Sequence, residues 1–205
     1  MDTLRTLLLS LLIVIAGGAT LGAATDGLRV FTTESARRLA VREHAVRVPD
    51  LALQAANGDQ IALQDLRGNW LLVDFIYTRC QTYCSVLGSD FARLQDRLAA
   101  PLASGRLQLL SISFDPEHDG PAQLAAYQRR FGDRGSGWLA ARPLDAEGVA
   151  AATRAFGIRV LDDGLGGYVH NASIALVDPQ GRLVRIFDAG QPEVVAAALQ
   201  AVLAQ

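Results

Sequence analysis

NWLLVDFIYTRCQTYCSVLGSDFARL, residues 69–94, changes its repeat half-way along. Asn69 to Tyr77 is a near-continuous apolar run rich in β-branched and aromatic residues, the pattern of a central strand buried on both faces. Beyond it Val86, Leu87, Phe91, Leu94 and Leu98 fall on one helical face, and Pro101 is expected to end that helix. Cys80 and Cys84 stand at the joint and are the only cysteines in the 205 residues.

After this joint, strands and helices alternate. Arg106–Phe114 reads as a second buried strand, Asp115-Pro116 opens a loop, and Pro121 starts a helix to about Phe131. Trp138–Ala140 reads as a short strand, and a helix capped by Asp145 runs to Phe156, where Gly157 stops it. Ala172–Asp178 and Arg182–Phe187 read as strands joined by a Pro179-Gln180-Gly181 turn, and Gln191–Leu203 as a closing helix. On the N-terminal side, Leu51–Leu63 reads as a hairpin around Asn57-Gly58. This order gives an α/β fold, a mixed sheet with helices on both faces, over residues 48–205. Residues 25–47 read as a linker with a short helix from Glu34 to Glu43, capped by Thr32 or Thr33.

Composition narrows the function. Half of the residues are hydrophobic and the net charge is −2. All non-histidine cations are Arg and form no basic block, which argues against nucleic acid as a partner. Met1 is the sole methionine, so the chain has no Met-rich metal-handling segment. Leu4–Ala24 carries only Arg5 as a charge and is about the length that crosses a bilayer. Residues 1–24 are therefore expected to be a membrane anchor or a cleaved signal, either of which exports the rest of the chain. Outside the cytoplasm a close dithiol oxidises unless it is reduced or metallated.

At i and i+4 of a first helical turn, Cys80 and Cys84 would share one face with Cα atoms about 6 Å apart, within disulfide range. A helix N-terminus and Arg79 would both favour accessible thiolates. A purely structural staple over so short a loop would remove little chain entropy. Of the three histidines, His44 in the linker and His118 in DPEHDG read as solvated. His170 precedes a buried strand expected beside the cysteine-bearing one, on a glycine-rich approach (Gly164, Gly166, Gly167) expected to be loose. Two thiolates and an imidazole suit Cu(I). Zinc could use the same donors with a fourth ligand or water.

DFIYTRCQTYC, LLSISFDPEHDG and YVHNASIALVDPQGRL together resemble the Sco/SenC copper-chaperone family over residues 48–203. The resemblance implies a thioredoxin-like fold anchored in the inner membrane by a single pass and facing the periplasm or intermembrane space. It also implies copper, as Cu(I) or Cu(II), bound by Cys80, Cys84 and His170, with Asp115 beside the site. It further implies delivery to the binuclear copper centre of cytochrome c oxidase subunit II, after supply from an upstream copper donor or thiol reductant. Many members have Pro after the first cysteine, where this chain has Gln81.

The alternative of the same fold is a membrane-anchored thiol–disulfide oxidoreductase that reduces the cysteines of that subunit, with Cys80 and Cys84 as its redox pair. Such enzymes have two residues between the cysteines and a cis-proline before the late strand. Here there are three, and no proline lies between Pro143 and Pro179. A peroxidase is a weaker alternative, because Thr78-x-Cys80 misses the Thr-x-x-Cys spacing. The chain is therefore expected to be a metallochaperone rather than an enzyme.

Overall fold

The structure is a computed structural model that describes residues 2–80, 83–135 and 137–204, with the side chains of all but Asp2 and Tyr83 among these. The chain forms two compact units, residues 1–43 and 44–205. In the first, α1 (Asp2–Ala24) is long and apolar enough to cross a membrane. Helix α2 (Thr33–Glu43) starts on a reciprocal cap, in which Thr32 Oγ1 accepts from the Ser35 N–H and Ser35 Oγ from the Thr32 N–H.

The second unit runs β1 (Val46–Arg47), β2 (Ala52–Ala55), β3 (Gln60–Ala62), a 3₁₀ turn (Leu63–Leu66), β4 (Trp70–Ile76), α3 (Tyr83–Arg97), α4 (Ala99–Ala103), β5 (Leu107–Ser113), α5 (Pro121–Arg130), β6 (Trp138–Pro143), α6 (Ala146–Phe156), β7 (Val160–Asp162), β8 (Tyr168–His170), β9 (Ser173–Val177), β10 (Arg182–Asp188) and α7 (Pro192–Leu203). Eight strands form one sheet in the order β1-β10-β9-β4-β5-β6-β2-β3. Strand β4 lies inside it, parallel to β5 and antiparallel to β9.

Both faces of β4 are covered, as its unbroken apolar run requires. Phe75 meets Phe156 of α6 on one face, with ring centroids 5.2 Å apart. Asp74, its neighbour in the strand, points to the other face, where its charge is felt at Cys84 and Asp90 of α3. Helix α3 is tied to the start of α7 by Asp90, which accepts from the Gly190 N–H at 2.6 Å, and by an Arg97–Glu193 ion pair at 2.8 Å.

Three details depart from the sequence reading. Helix α3 stops at Arg97, and Pro101 lies in the first turn of the separate α4, where its missing N–H would have had no helical partner. The sheet begins at Val46, because β1 pairs with β10. The segment before His170 is an ordered hairpin, β7–β8, that forms its own two-stranded sheet. Its turn is closed by aspartates: Asp162 accepts from the Gly164 N–H at 2.6 Å, and Asp163 from the N–H groups of Leu165 and Gly167 at 2.7 and 2.9 Å. Gly164 and Gly166 take the positive φ values (73° and 86°) that this turn needs.

Candidate metal centre

Strand β4 ends at Ile76, Tyr77 beyond it is still buried, and the next three residues turn back inward to the buried Cys80. The turn is held from within, since the Cys80 N–H donates to the Tyr77 carbonyl at 3.1 Å. Asp119, which sequence reasoning passed over, holds it from outside. This wholly buried carboxylate accepts from the Thr78 N–H (2.9 Å), the Thr78 hydroxyl (2.6 Å) and the Ser113 hydroxyl (2.6 Å). The DPEHD segment thus fastens the cysteine loop to the end of β5. Asp119→Ala would strand two hydroxyls and an N–H in the interior, so it is expected to lower unfolding stability by about 2–4 kcal/mol, read as a drop in the denaturation midpoint.

Cys84 lies in the first turn of α3. Cys80 precedes the described start of the helix and is not part of it; Gln81 and Thr82, between them, lie outside the described residues. The cysteines nevertheless meet, because the Cys84 N–H donates to Cys80 Sγ at 3.4 Å, a sulfur standing in for an N-cap oxygen. Both are thiols, not a disulfide. They are not the accessible thiolates that the sequence suggested: Cys80 is 5% exposed and Cys84 1%. Burial pushes the Cys84 thiol far above its usual value, and the neighbouring Cys80 thiol adds to the rise. Arg79, expected to favour thiolates, turns its guanidinium to Asp115 (2.8 Å) and to the Gly166 carbonyl (3.2 Å).

His170 ends β8 and is buried. Its Nε2 lies 3.9 Å from Cys84 Sγ, across 86 residues of sequence. The ring packs on Phe114, with centroids 5.1 Å apart, and Nδ1 is buried with no hydrogen-bond partner. Burial alone lowers its pKa to about 4, so the imidazole is neutral at pH 7 and offers a lone pair. A first-row ion binds thiolate at about 2.3 Å and imidazole at about 2.0 Å. Those two bonds span slightly more than the observed separation, so one ion fits between the two atoms. Among the described residues no three His, Cys, Asp or Glu side chains are already close enough to hold a metal.

Asp115, expected near the metal, is buried and is engaged by Arg79 on one oxygen and by His118 Nδ1 on the other, at 2.8 and 2.9 Å. Its reach to the site runs through Arg79, the residue before Cys80. The half-exposed His118 is occupied by this pairing, and His44 is exposed.

The SCO1/SenC profile matches residues 41–204. The chain belongs to the SCO1/SenC family. A SCO1 homologue of Bacillus subtilis is 28% identical to this family member over 69% of the chain and 73% of the relative. A Stutzerimonas stutzeri protein whose name proposes copper binding is 29% identical over 89% of the chain and 88% of the relative. The solution structure of apo Sco1 from Thermus thermophilus matches with a TM-score of 0.63 and 29% identity, over 78% of this chain and 92% of that one. The fold of this SCO1/SenC member is thus thioredoxin-like, with an apolar N-terminal helix ahead of it.

Proposed function

We propose that the protein carries one copper ion on Cys80, Cys84 and His170 and delivers it to subunit II of a cytochrome c oxidase, working from the periplasmic face of the inner membrane with α1 as its anchor. The observation that carries this reading is the 3.9 Å approach of Cys84 Sγ to His170 Nε2. A neutral imidazole and a soft sulfur, brought together from distant parts of the chain beside a second cysteine, make a donor set suited to copper. Family membership and the copper-binding name of the Stutzerimonas relative point the same way.

Copper is the cargo. The thiols give up their protons as it binds, and His170 completes the set. A receiving protein with its own soft donors then displaces the ligands one at a time, so that no free ion appears. Asp115 acts at one remove by holding Arg79 beside Cys80. His170→Ala tests the assignment: Cu(II) affinity should fall by about tenfold or more, since losing a ligand outweighs losing the group that orients one. Cu(I) affinity should change little, because two thiolates still suit that ion. Competition titrations in both oxidation states read the difference, and equal retention of both ions would refute the role of His170.

The second reading, reduction of the receiving subunit's cysteines, is supported by the adjacent pair of thiols. It differs in requiring turnover of a disulfide substrate at a rate that copper loading suppresses.

A further inference from the structure

The strand that bears His170 is not part of the main sheet. Among the described residues, strands β7 and β8 pair only with each other; the ladder nearest the imidazole is that of β9, which begins at Ser173 and pairs with β4. The His170 strand itself is held by side chains, and one stands out. The Tyr77 hydroxyl donates to the Tyr168 carbonyl at 3.1 Å and accepts from the Tyr168 N–H at 3.2 Å. A single phenol thereby satisfies both backbone groups of a residue two positions before His170, as a residue of an adjacent strand would. The rings of Tyr77 and Tyr168 meet edge to face at 5.3 Å. The approach leaves no slack, since a Cβ at Gly167 would stand 3.1 Å from the Tyr77 hydroxyl. At the hairpin turn, Arg79 adds its bond to the Gly166 carbonyl.

Tyr77 is also the residue whose carbonyl receives the Cys80 N–H. One residue therefore holds the sulfur loop through its backbone and the imidazole strand through its side chain. We propose that Tyr77 is a positioning residue for copper, its hydroxyl fixing the His170 strand at bonding range of the cysteines. This rests on the copper reading above and deepens it. The consequence is selective. A loosened strand handicaps the ion that needs the imidazole, Cu(II), and spares Cu(I), which the sulfurs retain.

The test is Tyr77→Phe in the full chain, which keeps the ring and removes only the hydroxyl. Hydrogen exchange of the metal-free protein comes first: amides of residues 168–170 should exchange faster than in the parent, while those of β4 and β5 are unchanged. Unchanged exchange at 168–170 overturns the proposal whatever copper does. Copper titration comes second. Cu(II) affinity should fall about tenfold, the scale of one or two ordinary hydrogen bonds, with Cu(I) affinity held within about twofold. In the double variant Tyr77→Phe/His170→Ala, the hydroxyl's effect on Cu(II) should vanish, because it acts through an imidazole no longer present. Equal losses of both ions, or additive losses in the double variant, overturn the proposal. If the parent chain itself binds no copper, the copper reading has failed, and the exchange result alone then decides whether Tyr77 holds the strand.

Discussion

Cys84→Ser is expected to leave the protein without a tight site for copper in either oxidation state, and Cys80→Ser to do the same. A serine hydroxyl is a hard donor that keeps its proton at neutral pH, and a soft ion has little use for it. Four-ligand protein sites deliver about 10–16 kcal/mol in all. One ligand's share corresponds to an affinity loss of about a hundredfold or more. The fold should survive the change. Serine is nearly isosteric with cysteine, and burying its hydroxyl at a site 1% exposed costs about 1–3 kcal/mol. Competition titration checks the first expectation and a denaturation midpoint the second. A cysteine pair that served only as a staple would show the reverse pattern, with lost stability and copper binding untouched.

The second large effect lies beneath the site. Asp74 is fully buried in β4, and neither carboxylate oxygen has a hydrogen-bond partner of good geometry. Burial raises its pKa to about 7; the Asp90 charge adds to the rise, and Ser111 opposes it. The unfolded chain ionises this group near 3.8. Between those values the native state holds a proton that the unfolded state has lost, so stability falls as pH rises through the window. The slope is about 1.4 kcal/mol for each pH unit crossed, several kcal/mol in total. Asp74→Asn removes the charge but keeps the shape. Its stability should match the parent near pH 4 and exceed it by about 3 kcal/mol or more at pH 8. Chemical denaturation at both pH values reads this directly. Parallel curves for the two proteins would show that Asp74 is not the group held neutral. Asp90, Cys84 and Tyr127 face the same interior, and the Asp74 charge is felt by both Cys84 and Tyr127. Neutral Asp74 is therefore the state that disturbs the dithiol least.

The fold was legible where burial wrote itself into composition. The runs 69–77 and 106–114 read as strands covered on both sides, and β4 and β5 are those strands. Asn57-Gly58 and Pro179-Gln180-Gly181 announced their turns, and Gly58 and Gly181 take the positive φ that such turns use. The hairpin β7–β8 was hidden because its residues are Asp- and Gly-rich and half exposed. Such composition reads as a loose loop unless one knows that Asp163 bonds back to the turn amides. The candidate site was legible in its proposed donors and not in the residues around them. Cysteines at 80 and 84 and a histidine at a strand edge carry a chemical signature, whereas Tyr77, Arg79 and Asp119 look like ordinary turn and strand-end residues. Their roles arise from contacts across 36 to 91 positions, which no local pattern encodes. Asp74 did leave a trace, as the lone acid in an otherwise apolar run. The accessibility of the thiols was misjudged for a related reason: a helix N-terminus favours thiolate only where water or cations reach the sulfur, and here both cysteines are buried.

The proposed function requires an imidazole from β8 and the sulfurs of the cysteine loop to bind one and the same copper ion. X-ray absorption at the copper edge reads that coordination shell, on the full chain loaded with a single equivalent and held as Cu(I) and then as Cu(II). One ion per chain is expected, with two sulfur neighbours in both states and an imidazole signal that is present for Cu(II) and absent from His170→Ala. A sulfur-only shell in both states, or an imidazole signal that survives the loss of His170, would show that His170 does not hold the ion.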